Sequence, residues 1–189
     1  MNCVPLTLGL ATIAIHFAAP AVAQHSAHVH GLVRADIVVD GASLTVMIEA
    51  PLDSLVGFEH RPRTAAQRQA AAAALKQMRE AAAWLRPPAA AMCVLAETQV
   101  KAEVLEPAAD AKPAHDGHAH KGHDHGDEHA ELEARYRFEC AAPAALKTLE
   151  LGLSQAFKRV QRIELQVAGP QGQGKQTLRR PATTVTLAR

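Results

Sequence analysis

The sequence predicts an α+β fold: a mainly antiparallel β domain, one helix packed on it, and a disordered His-rich loop projecting from one end. Three observations carry the prediction. Several segments alternate apolar and polar residues with the period of two that a half-buried strand requires. A single stretch has helical spacing behind a recognisable start signal. Residues 114–130, AHDGHAHKGHDHGDEHA, fit neither pattern, having no apolar residue other than alanine and three glycines. Such a stretch cannot bury a core, so folding does not explain its composition.

At the N-terminus, residues 1–23 read as a cleaved export signal. Residues 4–19 are mostly apolar, Pro20 breaks the run, and Ala21-Val22-Ala23 is the small-residue pattern that precedes a cleavage site. No Lys or Arg precedes the run, and the alternative is an uncleaved anchor, but Pro5, His16 and Pro20 crowd a segment already short of a membrane span. Residues 24–189 are then one domain, exported and without membrane insertion. Its 20 Lys+Arg against 19 Asp+Glu leave it nearly neutral, with no basic run to recommend nucleic acid as a partner.

The first hairpin is the plainest element. Val29, Gly31, Val33, Ala35, Ile37 and Val39 alternate with more polar neighbours, Asp40-Gly41 makes the turn, and Leu44, Val46 and Ile48 alternate on the return. His28 and His30 lie two apart, so an extended strand would turn both imidazoles to one face. Residues 51–64 read as an irregular connection carrying Glu59 and His60. Thr64 and Gln67 then form a capping box, opening a helix whose apolar stripe runs from Ala71 to Leu85, where Arg86-Pro87-Pro88 stops it.

Residues 91–104 read as a strand with Cys93 near its start. Residues 131–140 show the clearest alternation in the chain, with Leu132, Ala134, Tyr136, Phe138 and Cys140 on one face. An antiparallel pair of these strands brings Cys93 and Cys140 together across the base of the His-rich loop, residues 106–129, as a disulfide; the alternative is two soft metal ligands. Leu149, Leu151 and Leu153 alternate, as do residues 160–167. Residues 169–172 are a turn cluster, and residues 183–187 make a last short strand.

Six of the eleven histidines fall within the loop: His115, His118, His120, His123, His125 and His129. Neutral imidazole is the commonest metal ligand, and Asp116, Asp124, Asp127 and Glu128 add oxygen donors. His129 directly precedes a strong strand and is the loop histidine most firmly tied to a fixed position. His28 with His30, and Glu59 with His60, are further candidate ligands, each weak on spacing alone.

The chain also resembles a known family. The matching pieces are His28-Val29-His30-Gly31; Leu55-Val56-Gly57-Phe58-Glu59-His60, with Pro62 and Thr64-Ala65-Ala66-Gln67; Cys93; His129-Ala130-Glu131 leading to Tyr136-Arg137-Phe138-Glu139-Cys140; and Gly169-Pro170-Gln171-Gly172-Gln173. In this order, around a His/Asp-rich insert, they look like the ZrgA-type periplasmic zinc-binding proteins of Gram-negative bacteria. The resemblance covers nearly all of residues 24–189. It departs at residues 153–157, where a second aromatic is expected. The resemblance implies a periplasmic protein that assists zinc acquisition beside an ABC-type importer or its solute-binding protein, with His28, His30, Glu59, His60 and His129 at motif positions.

Two other readings compete. A buffer or chaperone for copper or nickel uses the same imidazoles, and the affinity order places copper above zinc. A zinc-dependent hydrolase needs three fixed ligands and an open water position; the chain has no His-Glu-x-x-His helix, so no enzyme is expected.

Overall fold

The protein is described here from a computed structural model, in which residues 29–106 and 130–187 are described. The Asp40-Gly41 turn joins β1 (Leu32–Asp40) to β2 (Ser43–Pro51) in antiparallel register, with Gly41 at φ 56° supplying the left-handed backbone the turn needs. β4 (Cys93–Lys101) and β5 (Glu131–Cys140) extend the sheet on the β2 side, and β7 (Arg162–Gly169) and β8 (Gly172–Arg179) extend it on the β1 side. The order is β4-β5-β2-β1-β7-β8. A second sheet of three short strands has β6 (Thr148–Leu151) between β3 (Leu85–Arg86) and β9 (Thr184–Thr186).

Expectation and structure part at five places. β1 and β7 run parallel, with Leu32 opposite Arg162 and Ala35 opposite Leu165, so the large sheet is mixed. β2 already occupies one edge of β1, and the chain returns through β6 to lie along the other edge in the same direction as β1. The stretch after Pro51 holds a short helix, α1 (Leu52–Val56), whose Leu52, Asp53, Ser54 and Leu55 are buried, where an irregular connection was expected. Leu153 belongs to a third helix, α3 (Leu153–Ala156), and not to a strand. The strand expected over residues 91–104 begins at Cys93 and carries a bulge between Leu95 and Glu97.

The fifth difference is the length of α2 (Ala65–Arg79). Its capping box is formed as expected, Thr64 Oγ1 accepting from the Gln67 backbone N–H and the Gln67 side chain accepting from the Thr64 backbone N–H. The helix nevertheless ends six residues before Leu85. In a longer helix the carbonyls of Gln77 and Met78 would accept from the N–H groups of residues 81 and 82. Here the Trp84 indole donates to Gln77 O (3.0 Å) and the Tyr136 hydroxyl to Met78 O (2.8 Å). Two side chains of the core thus satisfy carbonyls that a helix end leaves free. The two rings also meet edge to face, 5.3 Å between centroids.

One face of the large sheet is buried and the other is solvated. Val33, Ala35, Ile37, Leu44, Val46, Ile48, Leu132, Tyr136, Phe138, Ile163 and Leu165 pack into one core with Ala71, Leu75 and Met78 of α2 and with the leucines of β6. The opposite face carries Arg34, Asp36, Glu49, Glu133, Arg135 and Glu164, the alternation of a sheet with one face packed and one in water. The Cys93–Cys140 disulfide is present, the two residues standing directly opposite in the β4–β5 ladder.

Candidate functional site

Two of the histidines singled out in the sequence, His30 and His60, lie among the described residues; His28, His115, His118, His120, His123, His125 and His129 lie outside them. His30 is not on a strand. It stands in the turn before β1, where Gly31 takes φ 78° and lets the chain swing into the sheet. The turn closes against buried groups. The Gly31 N–H donates to Ser54 Oγ (3.0 Å), and the Gly31 carbonyl accepts from the backbone N–H groups of Gln161 and Arg162 (2.9 and 3.0 Å). A β-carbon at Gly31 would meet the Arg159 carbonyl at 3.1 Å, so no larger residue fits that junction without displacement.

Beside this turn sits Asp53, a residue the sequence reading did not single out. Its carboxylate is largely buried, with 12% of the side chain exposed. Oδ1 accepts from the Arg159 guanidinium at 2.8 Å, while the same arginine donates through Nε to the Asp53 backbone carbonyl at 2.7 Å. Oδ2 lies 3.7 Å from His30 Nδ1. The His30 side chain is itself 70% exposed. Gly57, in left-handed conformation at the end of α1, would place a β-carbon 3.6 Å from the same guanidinium. That distance is ordinary contact, and it is the left-handed backbone, φ 86°, that favours glycine there.

The root of the His-rich segment reaches the same place. Ala130, which follows His129 in the sequence, accepts a hydrogen bond from the Leu52 N–H at 2.8 Å, one residue from Asp53. The turn before β1, the start of α1 and the beginning of β5 therefore share one corner of the molecule.

His60 stands elsewhere on the connection between α1 and α2. Its ring stacks on Phe58, 5.3 Å between centroids, and its Nδ1 is 2.9 Å from the Arg61 carbonyl. A carbonyl only accepts, so Nδ1 carries a proton in this contact, and in the neutral ring the lone pair is on Nε2. Glu59 is exposed beside it. Among the described residues no group of three or more His, Cys, Asp or Glu side chains is close enough to hold a metal ion, so His30, Glu59 and His60 are not brought to one point. Cys93 and Cys140 are consumed by their disulfide and are not metal ligands. A groove of about 320 Å³ on the solvated sheet face is lined by Arg34, Asp36, Glu49, Glu164 and Lys175 among others, and no predicted ligand borders it. Among the described residues no helix is long and apolar enough to cross a membrane.

Nothing in the local sequence marks Asp53 or Arg159. They are more than a hundred residues apart, and only the parallel docking of β7 on β1 makes them neighbours. The one available hint was Gly31, whose place directly after a histidine in a strand-like run marks a bend.

Residues 27–187 match the family model described as ZrgA family zinc uptake protein. No curated protein matches the chain.

Proposed function

The chain belongs to the ZrgA family of zinc uptake proteins, and from that premise we propose that it is an exported, periplasmic zinc-binding protein that captures zinc and supports its delivery to an ABC-type importer or that importer's solute-binding protein. Residues 1–23 direct export and are removed. The His-rich segment supplies the collecting sites: many imidazoles at short spacing offer several two- and three-ligand arrangements that exchange, which favours fast capture and ready release. His28 and His30, with Glu59, His60 and His129 as further donors, contribute to more fixed binding at the folded domain.

The observation that carries this reading is the shared corner. The residue following His129 is hydrogen-bonded one residue from Asp53, whose carboxylate faces His30. That arrangement supports passage of an ion from the histidine-rich segment to the folded domain. The family role is uptake, which asks for capture and release and not for turnover. Binding should weaken as pH falls through the ordinary imidazole range near 6.5, since a protonated ring cannot ligate.

The test is a competitive zinc titration of residues 24–189, without any tag, beside a variant lacking residues 114–128. At least two classes of zinc affinity are expected in the full chain, and one tight class should survive the deletion. A single class of unit stoichiometry would refute the two-site reading. Loss of all tight binding with the loop would make the β domain a scaffold only. Copper binds imidazole more tightly than zinc in general, so expression that rises on zinc starvation, and not on copper or nickel stress, is the observation that separates zinc uptake from a copper or nickel buffer.

A further inference from the structure

Asp53 is a carboxylate that α1 holds out of solvent, a costly position unless its charge is used or compensated. Arg159 compensates one oxygen and also fixes the backbone of the same residue, so the carboxylate cannot turn away. The other oxygen is left facing the Nδ1 edge of His30 at 3.7 Å, within a small side-chain rotation of hydrogen-bond length. A carboxylate in that position favours the proton on Nδ1. That leaves the lone pair on Nε2 of an exposed ring, and closing the contact to a hydrogen bond would give it a direction.

We propose that Asp53 is a positioning residue for zinc at His30. Zinc binds His30 through Nε2 while Nδ1–H donates to Asp53 Oδ2, and Arg159 locks the carboxylate in place. This rests on the reading of His30 as a ligand. The chemistry is that of a carboxylate–imidazole–metal relay: the carboxylate selects the tautomer, orients the ring and raises the basicity of the ligating nitrogen. Arg159 gives the arrangement a resting state, because the carboxylate remains neutralised when no ion is present. Asp53 does not touch the ion. The assignment therefore differs from adding one more donor to the site.

Two measurements on tag-free residues 24–189 test it. In the metal-free wild-type protein, the ¹⁵N shifts of the His30 ring, assigned by their loss in His30→Ala, should report Nδ1–H and a bare Nε2. An Nε2–H ring would overturn the proposal without any substitution at Asp53. In competitive zinc titrations, Asp53→Asn should weaken the tight class by roughly 10–100-fold, the range for losing such a partner. Combining it with His30→Ala should add little beyond His30→Ala alone. If His30→Ala weakens the tight class and Asp53→Asn does not, the positioning role is wrong while His30 remains a ligand. If His30→Ala leaves the tight class unchanged, the reading of His30 as a ligand fails instead. Should Asp53→Asn not fold, the ring tautomer in the wild type decides the matter.

Discussion

Removing the Cys93–Cys140 disulfide by replacing both cysteines with serine should destabilise the domain while leaving its fold intact. The two residues are 47 apart in sequence, and closing a segment of that length removes about 4 kcal/mol of chain entropy from the unfolded state at 25 °C. For a domain of this size each kcal/mol moves the melting temperature by about 2–4 °C, so a fall of roughly 8–16 °C is expected. Urea unfolding of the wild type and the double variant measures the difference directly. A second perturbation tests its origin. Deleting residues 107–129 roughly halves the closed segment, and each halving changes the closure term by only about 0.6 kcal/mol. The disulfide should therefore remain worth more than about 3 kcal/mol in the deleted chain. A double serine variant that loses less than about 1 kcal/mol would refute the entropic account. So would a disulfide contribution that disappears with the loop, because it would place the stabilisation in the native loop itself.

Tyr136→Phe leaves Met78 O without its donor in the core, and a stability loss of about 1–3 kcal/mol is expected by urea unfolding. Burial also pushes the Tyr136 phenol above its ordinary range. Its contribution is fully present below about pH 10, the unfolded value, and is lost as pH rises beyond it, so wild type should lose stability in that window and Tyr136→Phe should lose less. Thr64→Ala removes half of the capping box of α2 and should cost about 1 kcal/mol, read from the same unfolding curves. Gly31→Ala forces a side chain into left-handed backbone and toward the Arg159 carbonyl, which should cost at least about 1–2 kcal/mol; a neutral result would show that this turn is softer than its geometry implies.

Much of the fold was legible because the signals are local. The β1–β2 hairpin follows from Asp40-Gly41 between alternating runs, and β5 runs over residues 131–140, as its alternation requires. The capping box marks the start of α2 to the residue. The disulfide was legible because two cysteines sat at the start of one strand and the end of the next. The misplaced features depend on distant partners. Alanine-rich sequence permits helix through to Leu85, and only the Trp84 indole and the Tyr136 hydroxyl, arriving from outside the helix, end it at Arg79. The parallel pairing of β1 with β7 leaves no mark in either strand, since both alternate as antiparallel strands do.

The candidate site divides along the same line. Donor chemistry is written in composition: imidazole density in residues 115–129 and the motif pieces at His30 and His60 are visible before any folding is considered. What holds a donor in place is not, because it is made by tertiary contact. His30 was expected on a strand, with orientation supplied by the pleat; it stands instead in a turn, where the pleat orients nothing. Orientation must then come from a partner, and the only carboxylate paired with it among the described residues is Asp53, fixed by an arginine from the far side of the chain. At His60 the same task falls to the carbonyl of Arg61 and the ring of Phe58. In both cases Nδ1 faces an oxygen and Nε2 is left over, although the two surroundings share no residue. On the proposed role this division suits a protein that binds and releases an ion: the candidate ligands stay near the surface, where exchange is fast, and the groups proposed to aim them are anchored to the fold.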